Sequence, residues 1–242
     1  MNPLSGTLSQ AWEIYKAHWK HFAAISLVVY GVIALISLFL AAIVGLIVAL
    51  VATIMLSVIG TFLVQAALVK AVEDVRDGRA DMTLGETYSA VKPSIAPVAG
   101  ASVLAGLGIG IGLLLLIVPG LILMTIWFFI IPAIVIERVG AMGSFARSRE
   151  IVSGHGMQVF TLIVLTSLVQ LAFEIVLSIV LLPLPEAARG FASQLLSGGL
   201  VGPYVAVAWT LAYFRLRQLK EGQGHPGVPP GSPPPPAPPP YA

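Results

Sequence analysis

The sequence predicts an all-α membrane bundle. Three observations carry that expectation: long uncharged apolar runs, amphipathic segments between them, and basic residues gathered on one side of the runs. Hydrophobic residues make up 57% of the 242 and charged ones 10%, at a mean hydropathy of +0.96. A soluble domain carries charge on about a quarter of its residues. The expected architecture is a polytopic bundle of six transmembrane helices in three hairpins, each hairpin preceded by a cytoplasmic amphipathic helix. It occupies residues 1–220 and leaves 221–242 as a proline-rich tail. There are no cysteines, so disulfides and thiolate-held metal are excluded. No cofactor is expected. A net charge of only +2, with no basic stripe interleaved with aromatics, speaks against a nucleic-acid partner.

From Thr7 to Phe22 the residues Leu8, Ala11, Trp12, Tyr15, Trp19 and Phe22 recur at helical spacing, and Glu13, Lys16 and Lys20 fall elsewhere on the wheel. Thr7-x-x-Gln10 fits a capping box, and the two tryptophans suit the headgroup level. No cleaved-leader pattern precedes this helix, so the start of the chain is expected to be retained. Two uncharged runs follow, about 22–44 and 46–69, each near the ~20 residues that cross a ~30 Å hydrocarbon core. Residues 70–91 are polar. Within them Thr83-x-x-Glu86 forms a second capping box ahead of Leu84, Tyr88, Val91 and Ile95 on one helical face.

The third span, about 97–118, holds Gly106, Gly108, Gly110 and Gly112, two overlapping G-x-x-x-G spacings that mark a helix-packing seam. Pro119-Gly120 is expected to turn the chain into a fourth span over 121–136, with Pro132 inside it. A third surface helix is expected over 144–154, with Ser144 placed to cap it. A fifth span covers 156–182, a short outer loop 183–190, and a sixth span 191–214. Side by side, the passages beginning at Thr7, Thr83 and Ser144 follow one plan, giving repeat-like units at about 5–70, 83–137 and 144–215. Cytoplasmic termini place twelve of the thirteen Lys and Arg residues inside, leaving Arg189 outside. The expected location is therefore the cell (plasma or inner) membrane.

The tail has ten prolines in residues 222–242. It should be an extended polyproline II segment, and its Pro238-Pro239-Pro240-Tyr241 has the form of a WW-domain ligand, a route to a protein partner. The principal expected partners are membrane lipids.

The central stretch resembles the membrane domain fused to some glycerophosphoryl diester phosphodiesterases and the stand-alone bacterial membrane proteins of the YciC-like type. Pro119-Gly120, Pro132, Glu137, Ala146-Arg147-Ser148 and Gly154 carry the likeness. Members commonly continue the Arg-Ser pair with an aromatic, where Arg149 stands here. The resemblance implies a polytopic bacterial inner-membrane protein; the phosphodiesterase barrel and its acidic metal ligands have no counterpart in this chain.

Three places have the residues for chemistry. Gln170 and Glu174 form a polar stripe in the fifth span, suited either to a proton or cation path or to a hydrogen bond with Thr53, Ser57 or another helix. Glu137, Arg138, Arg147 and Arg149 could fix two helices by an ion pair or hold a phosphate headgroup. His18 and His21 have no third metal ligand nearby. No nucleophile, base and orienting group come together, so the expectation is a non-catalytic membrane protein that organises lipid or a partner. The alternative is a small-molecule, ion or lipid transporter with Glu174 in its pathway.

Overall fold

The computed structural model describes residues 3–43, 46–76 and 82–223. The proline-rich tail with its Pro-Pro-Pro-Tyr motif lies outside the described residues, as do the side chains of Thr53 and Ser57. Among the described residues all regular structure is helical and there is no strand. The elements are α1 (Thr7–Ile43), α2 (Leu46–Arg76), α3 (Leu84–Val91), α4 (Ile95–Leu115), α5 (Ile117–Ile126), α6 (Ile130–Glu137), α7 (Ala141–Val152), α8 (Gly156–Val180), α9 (Glu186–Leu196) and α10 (Gly202–Gln223). A 3₁₀ turn at Lys92–Ser94 joins α3 to α4, and a π turn at Ser197–Val201 joins α9 to α10.

Four helical stretches among the described residues are long and apolar enough to cross a membrane: Leu84–Leu115, Ile117–Glu137, Gly156–Val180 and Ala188–Gly222. Their outward surfaces agree with that. Leu107, Leu114 and Leu115 on α4, and Leu168, Leu171 and Ile179 on α8, are exposed leucines and isoleucines in continuous bands, a surface that lipid covers and water does not. Inside, α1, α2, α4, α6 and α10 share a core that includes Phe22, Ile25, Leu68, Val98, Ile134 and Leu211. A second core joins α6, α7, α8 and α10 through Phe129, Ile151, Val159, Leu162, Tyr213 and Leu216.

Several boundaries differ from those expected. The chain turns at Leu116 (φ −156, ψ 135), not at Pro119-Gly120. Pro119 instead occupies the first turn of α5, where its missing N–H is not needed, and Gly120 packs against α4. The fourth span is two helices, broken at 127–129, so that Pro132 also falls in a first turn, that of α6. The loop expected over 183–190 is shorter, because α9 starts at Glu186. The π turn relieves the crowding that Pro203 would impose on a regular helix. The third surface helix begins at Ala141 with Gly140 at its cap, and Ser144 donates to the Ala141 carbonyl at 2.6 Å. Thr83 and Glu86 do make the reciprocal capping box. Thr7 and Gln10 are used otherwise: both side chains accept from the Arg215 guanidinium, at 2.9 and 2.8 Å, which ties the start of α1 to α10.

A common register runs through the three passages beginning at Thr7, Thr83 and Ser144. Eleven residues on, the first and third leave helical conformation, at His18 (φ −125, ψ 19) within α1 and at His155 (φ −128, ψ 17) before α8, whereas the second tightens into the 3₁₀ turn and stays helical at Ser94 (φ −88, ψ −10). Burial recurs at matching offsets. Ala11, Thr87 and Ser148 are buried; so are Tyr15, Val91 and Val152, then Phe22, Val98 and Val159, and then Ile25, Ala101 and Leu162.

Candidate functional site

The largest polar constellation forms where α6, α7 and α10 meet. α6 ends at Glu137 because Arg138 takes the left-handed conformation (φ 55), which turns the chain back into α7 and brings Arg147 under the carboxylate. Arg147 donates from Nε to Glu137 Oε2 at 2.7 Å and from Nη2 to Oε1 at 3.0 Å, a fork on a carboxylate. The two side chains are 19% and 14% exposed. From α10, the Tyr213 hydroxyl donates to Glu137 Oε1, and Arg217 Nε stands 3.4 Å from the same oxygen. Glu150 and Glu221 complete the cluster, at 3.0 and 3.3 Å from Arg147, and Arg217 pairs with Glu221 at 2.7 Å. Its hydrogen bond with Glu137 raises the Arg147 pKa above its ordinary value despite partial burial.

Two guanidinium cations against three carboxylates leave this cluster with a net charge of −1. It is saturated, and it does not attract an anion. Arg147 is thus an internal clamp, while Arg138 and Arg149 are exposed and stand outside the network. Helical geometry separates the two α7 arginines, because a step of two residues turns the side chain by about 200°. Arg147 faces Glu137, whereas Arg149 lies on the flank of Val152.

Ser148, beside Arg147, repairs the broken fourth span. Its hydroxyl donates to the Ile126 carbonyl at 2.7 Å and accepts from the Phe129 N–H at 3.0 Å. Those are two of the backbone groups stranded when the chain leaves helical geometry at 127–129, and burial keeps water from serving them.

Glu174 accepts from Ser193 Oγ of α9 at 3.0 Å. One turn inward, Gln170 lines a cavity of about 100 Å³ shared with Tyr30, Thr61, Gln65, Trp209 and the π-turn residue Gly198. A further turn along, Thr166 accepts from the Trp209 indole at 3.1 Å. Thr166 continues the line of polar residues on α8 by one turn, and the described partner of Glu174 is Ser193.

The glycines of α4 divide. A Cβ on Gly112 would lie 3.0 Å from the Gly120 Cα, and one on Gly108 would meet the Trp127 ring at 2.6 Å, so these two form the seam with α5. Gly106 and Gly110 have open space around them. His18 and His21 each set a ring edge against Phe22, and burial lowers the His21 pKa from its ordinary value with Asp74 opposing. Among the described residues no three His, Asp or Glu side chains gather as a metal site would require.

The other three cavities are apolar grooves. One of about 650 Å³ runs between α8 and α10 beneath Trp12, Tyr15 and Tyr204. One of about 320 Å³ lies between α1 and α2 beneath Tyr88. One of about 410 Å³ lies between α5 and α8 beneath Val152 and Gly156. Compared with protein-family models, curated proteins and solved structures, the chain matches none.

Proposed function

We propose that this chain is a non-catalytic multi-pass membrane protein that organises lipid. On this reading it has six spans in three hairpins, with α1 and α2 supplying the first pair, and both termini are cytoplasmic. A short amphipathic helix at the cytoplasmic face leads into each hairpin. The shared burial offsets, with bends at His18 and His155 and a 3₁₀ turn at the matching Ser94, support three units of one plan. The likeness to the phosphodiesterase-associated membrane domain belongs to the same proposal. Arg147 and Ser148, which help carry it, are the two side chains that fasten α7 to the broken fourth span.

One observation carries the reading. Three apolar cavities are each lined in part by residues of one of the three leading segments: Trp12 and Tyr15, Tyr88, or Val152. An apolar groove beside a bilayer suits an acyl chain rather than a hydrated solute, and an amphipathic helix above it suits a headgroup layer. Reconstituted into sealed vesicles, the protein should restrict the motion of labelled acyl chains without passing protons or small solutes. Cysteines introduced at Ala80 and Ala187 test the topology, since only the second should be reachable from outside intact cells.

A second reading, transport, is favoured by the small cavity at the π turn. Tyr30, Thr61, Gln65 and Gln170 bring neutral polar groups together around one small cavity, one turn from Glu174, and a discontinuous span is where transporters place their sites. Flux in the vesicle assay that Glu174→Gln abolishes would establish transport and displace the first reading.

A further inference from the structure

We infer that the groove between α5 and α8 is a binding site for one anionic glycerophospholipid of the cytoplasmic leaflet, its acyl chain against Ile122 and Phe160 and its phosphate held by Arg149 at the start of α8. The inference rests on the lipid-organising reading and adds to it a place, a headgroup charge and the residue that reads it.

The groove is lined almost wholly by apolar side chains, with a volume of about 410 Å³. Val118, Leu121, Ile122 and Ile126 form one wall, and Met157 and Phe160 the other. Ile122 and Met157 are 52% and 74% exposed, so the wall is open along its length. What distinguishes this groove is a basic side chain near its end, unpaired among the described residues; the Lys16 ammonium over Trp12, beside the groove between α8 and α10, is paired with Glu13. Val152 and Gly156 line it there, and Arg149 precedes Val152 by three residues on α7, about 60° around the helix from it. Arg149 is exposed and joins no ion pair among the described residues, while its neighbour Arg147 is held by three carboxylates.

The backbone adds to this charge. The first i to i−4 bond of α8 runs from Val159 N–H to the His155 carbonyl, leaving the N–H groups of Gly156, Met157 and Gln158 without a helical acceptor, and no side chain caps them. Beside them, Nδ1 of His155 is buried with no hydrogen-bond partner. A Cβ on Gly156 would meet nothing within 4 Å, so the space beside the first residue of α8 is open. Open N–H groups at a helix start and a free guanidinium suit a phosphate, and the apolar groove that continues from them suits the chain attached to it.

The test uses the full chain in phosphatidylcholine vesicles containing a trace of either phosphatidylglycerol or phosphatidylcholine with a photoactivatable diazirine in one acyl chain. Labelled peptides are sequenced after illumination. Phosphatidylglycerol should label the residues around Ile122, Met157 and Phe160 in preference to phosphatidylcholine. Arg149→Gln should lower that labelling roughly fivefold, the loss expected for one basic residue at an anionic interface. Arg149→Lys should recover most of it, and Ile122→Trp, which fills the groove, should lower labelling by both lipids. Elution in gentle detergent confirms that each variant is folded. Equal labelling by the two probes would mean bulk lipid and would overturn the inference, as would full labelling of Arg149→Gln. Protection from both probes, with a crosslinked dimer, would assign the groove to a second copy of the chain. None of these results touches the flux assay, so a failure here and a failure of the lipid-organising reading are told apart.

Discussion

Replacing Arg147 by alanine isolates the clamp that holds α7 against α6 and α10. The change removes two charge-assisted hydrogen bonds to Glu137, at 2.7 and 3.0 Å, and contacts with Glu150 and Glu221. Bonds to charged groups contribute about 1.5 to 3 kcal/mol each, and stripping one partner from a fully buried pair costs about 3 to 5. Glu137 is 14% exposed and keeps Tyr213 and Arg217, so the expected loss is lower, about 2 to 3 kcal/mol. For a chain of this length that is a fall of roughly 5 to 10 °C in the midpoint of thermal unfolding, followed by the monodisperse fraction surviving in detergent. Arg147→Lys keeps the charge but loses the fork and should recover about half. Arg149→Ala, two residues away, should shift the midpoint by no more than the ~0.5 kcal/mol of an ordinary surface change. Equal losses for Arg147→Ala and Arg149→Ala would refute the clamp. So would an Arg147→Ala loss unchanged when Glu137 is already glutamine, since the two effects must then overlap.

Ser148→Ala strands the Ile126 carbonyl and the Phe129 N–H in a buried break and should cost about 2 to 4 kcal/mol by the same assay, whereas Ser144→Ala, whose hydroxyl serves only its own helix, should cost under ~1. Gly112→Leu drives a side chain into Gly120 and should lose the folded protein from detergent extracts, while Gly106→Ala has open space and should be neutral or stabilising by up to ~1 kcal/mol. Glu174→Gln keeps an acceptor for Ser193 and should leave unfolding unchanged. Glu174→Leu should also extract as folded protein, since it removes a carboxylate that costs about 2.5 to 3.5 kcal/mol deep in a bilayer; loss of the folded state for Leu alone would assign Glu174 to a required polar network.

Local rules were legible in the sequence and long-range pairings were not. The Thr83 capping box was readable because both partners lie within one turn. The span of α8 was readable because a long uncharged apolar run leaves a helix little alternative. The pairing of Glu137 with Arg147 was visible as two opposite charges on either side of a turn. Tyr213, Arg217 and Glu221, which close the same cluster, come from about 75 to 85 residues away, and no local pattern links them to Glu137. Ser148 gave a signal only as half of the Arg-Ser pair; its task depends on where α5 breaks. The break lies ahead of Pro132 because a proline is most easily housed in the first turn of a new helix, three residues beyond the break itself.

The shared register also shows where the three passages have parted. At the offset occupied by Ala11 and Thr87, the third passage has Ser148, and only there does a neighbouring helix present broken backbone for a hydroxyl to serve. At the bend, His18 kinks α1 with no positive-φ residue beside it, and its ring contacts the Ile14 carbonyl at 3.3 Å. His155 instead follows Gly154 (φ 82), which separates α7 from α8 and frees the first N–H groups of α8. The second passage bends through Pro93 without such a gap, its 3₁₀ turn running directly into α4. A common frame thus positions three similar grooves, but a true helix start, with Arg149 on the flank of the preceding helix, arises at one of them. Inserting the gap into the first passage should therefore create a second phosphate-sized opening near His18, whereas closing the gap by Gly154→Ala should strain the left-handed residue and cost the third its opening without touching the core register.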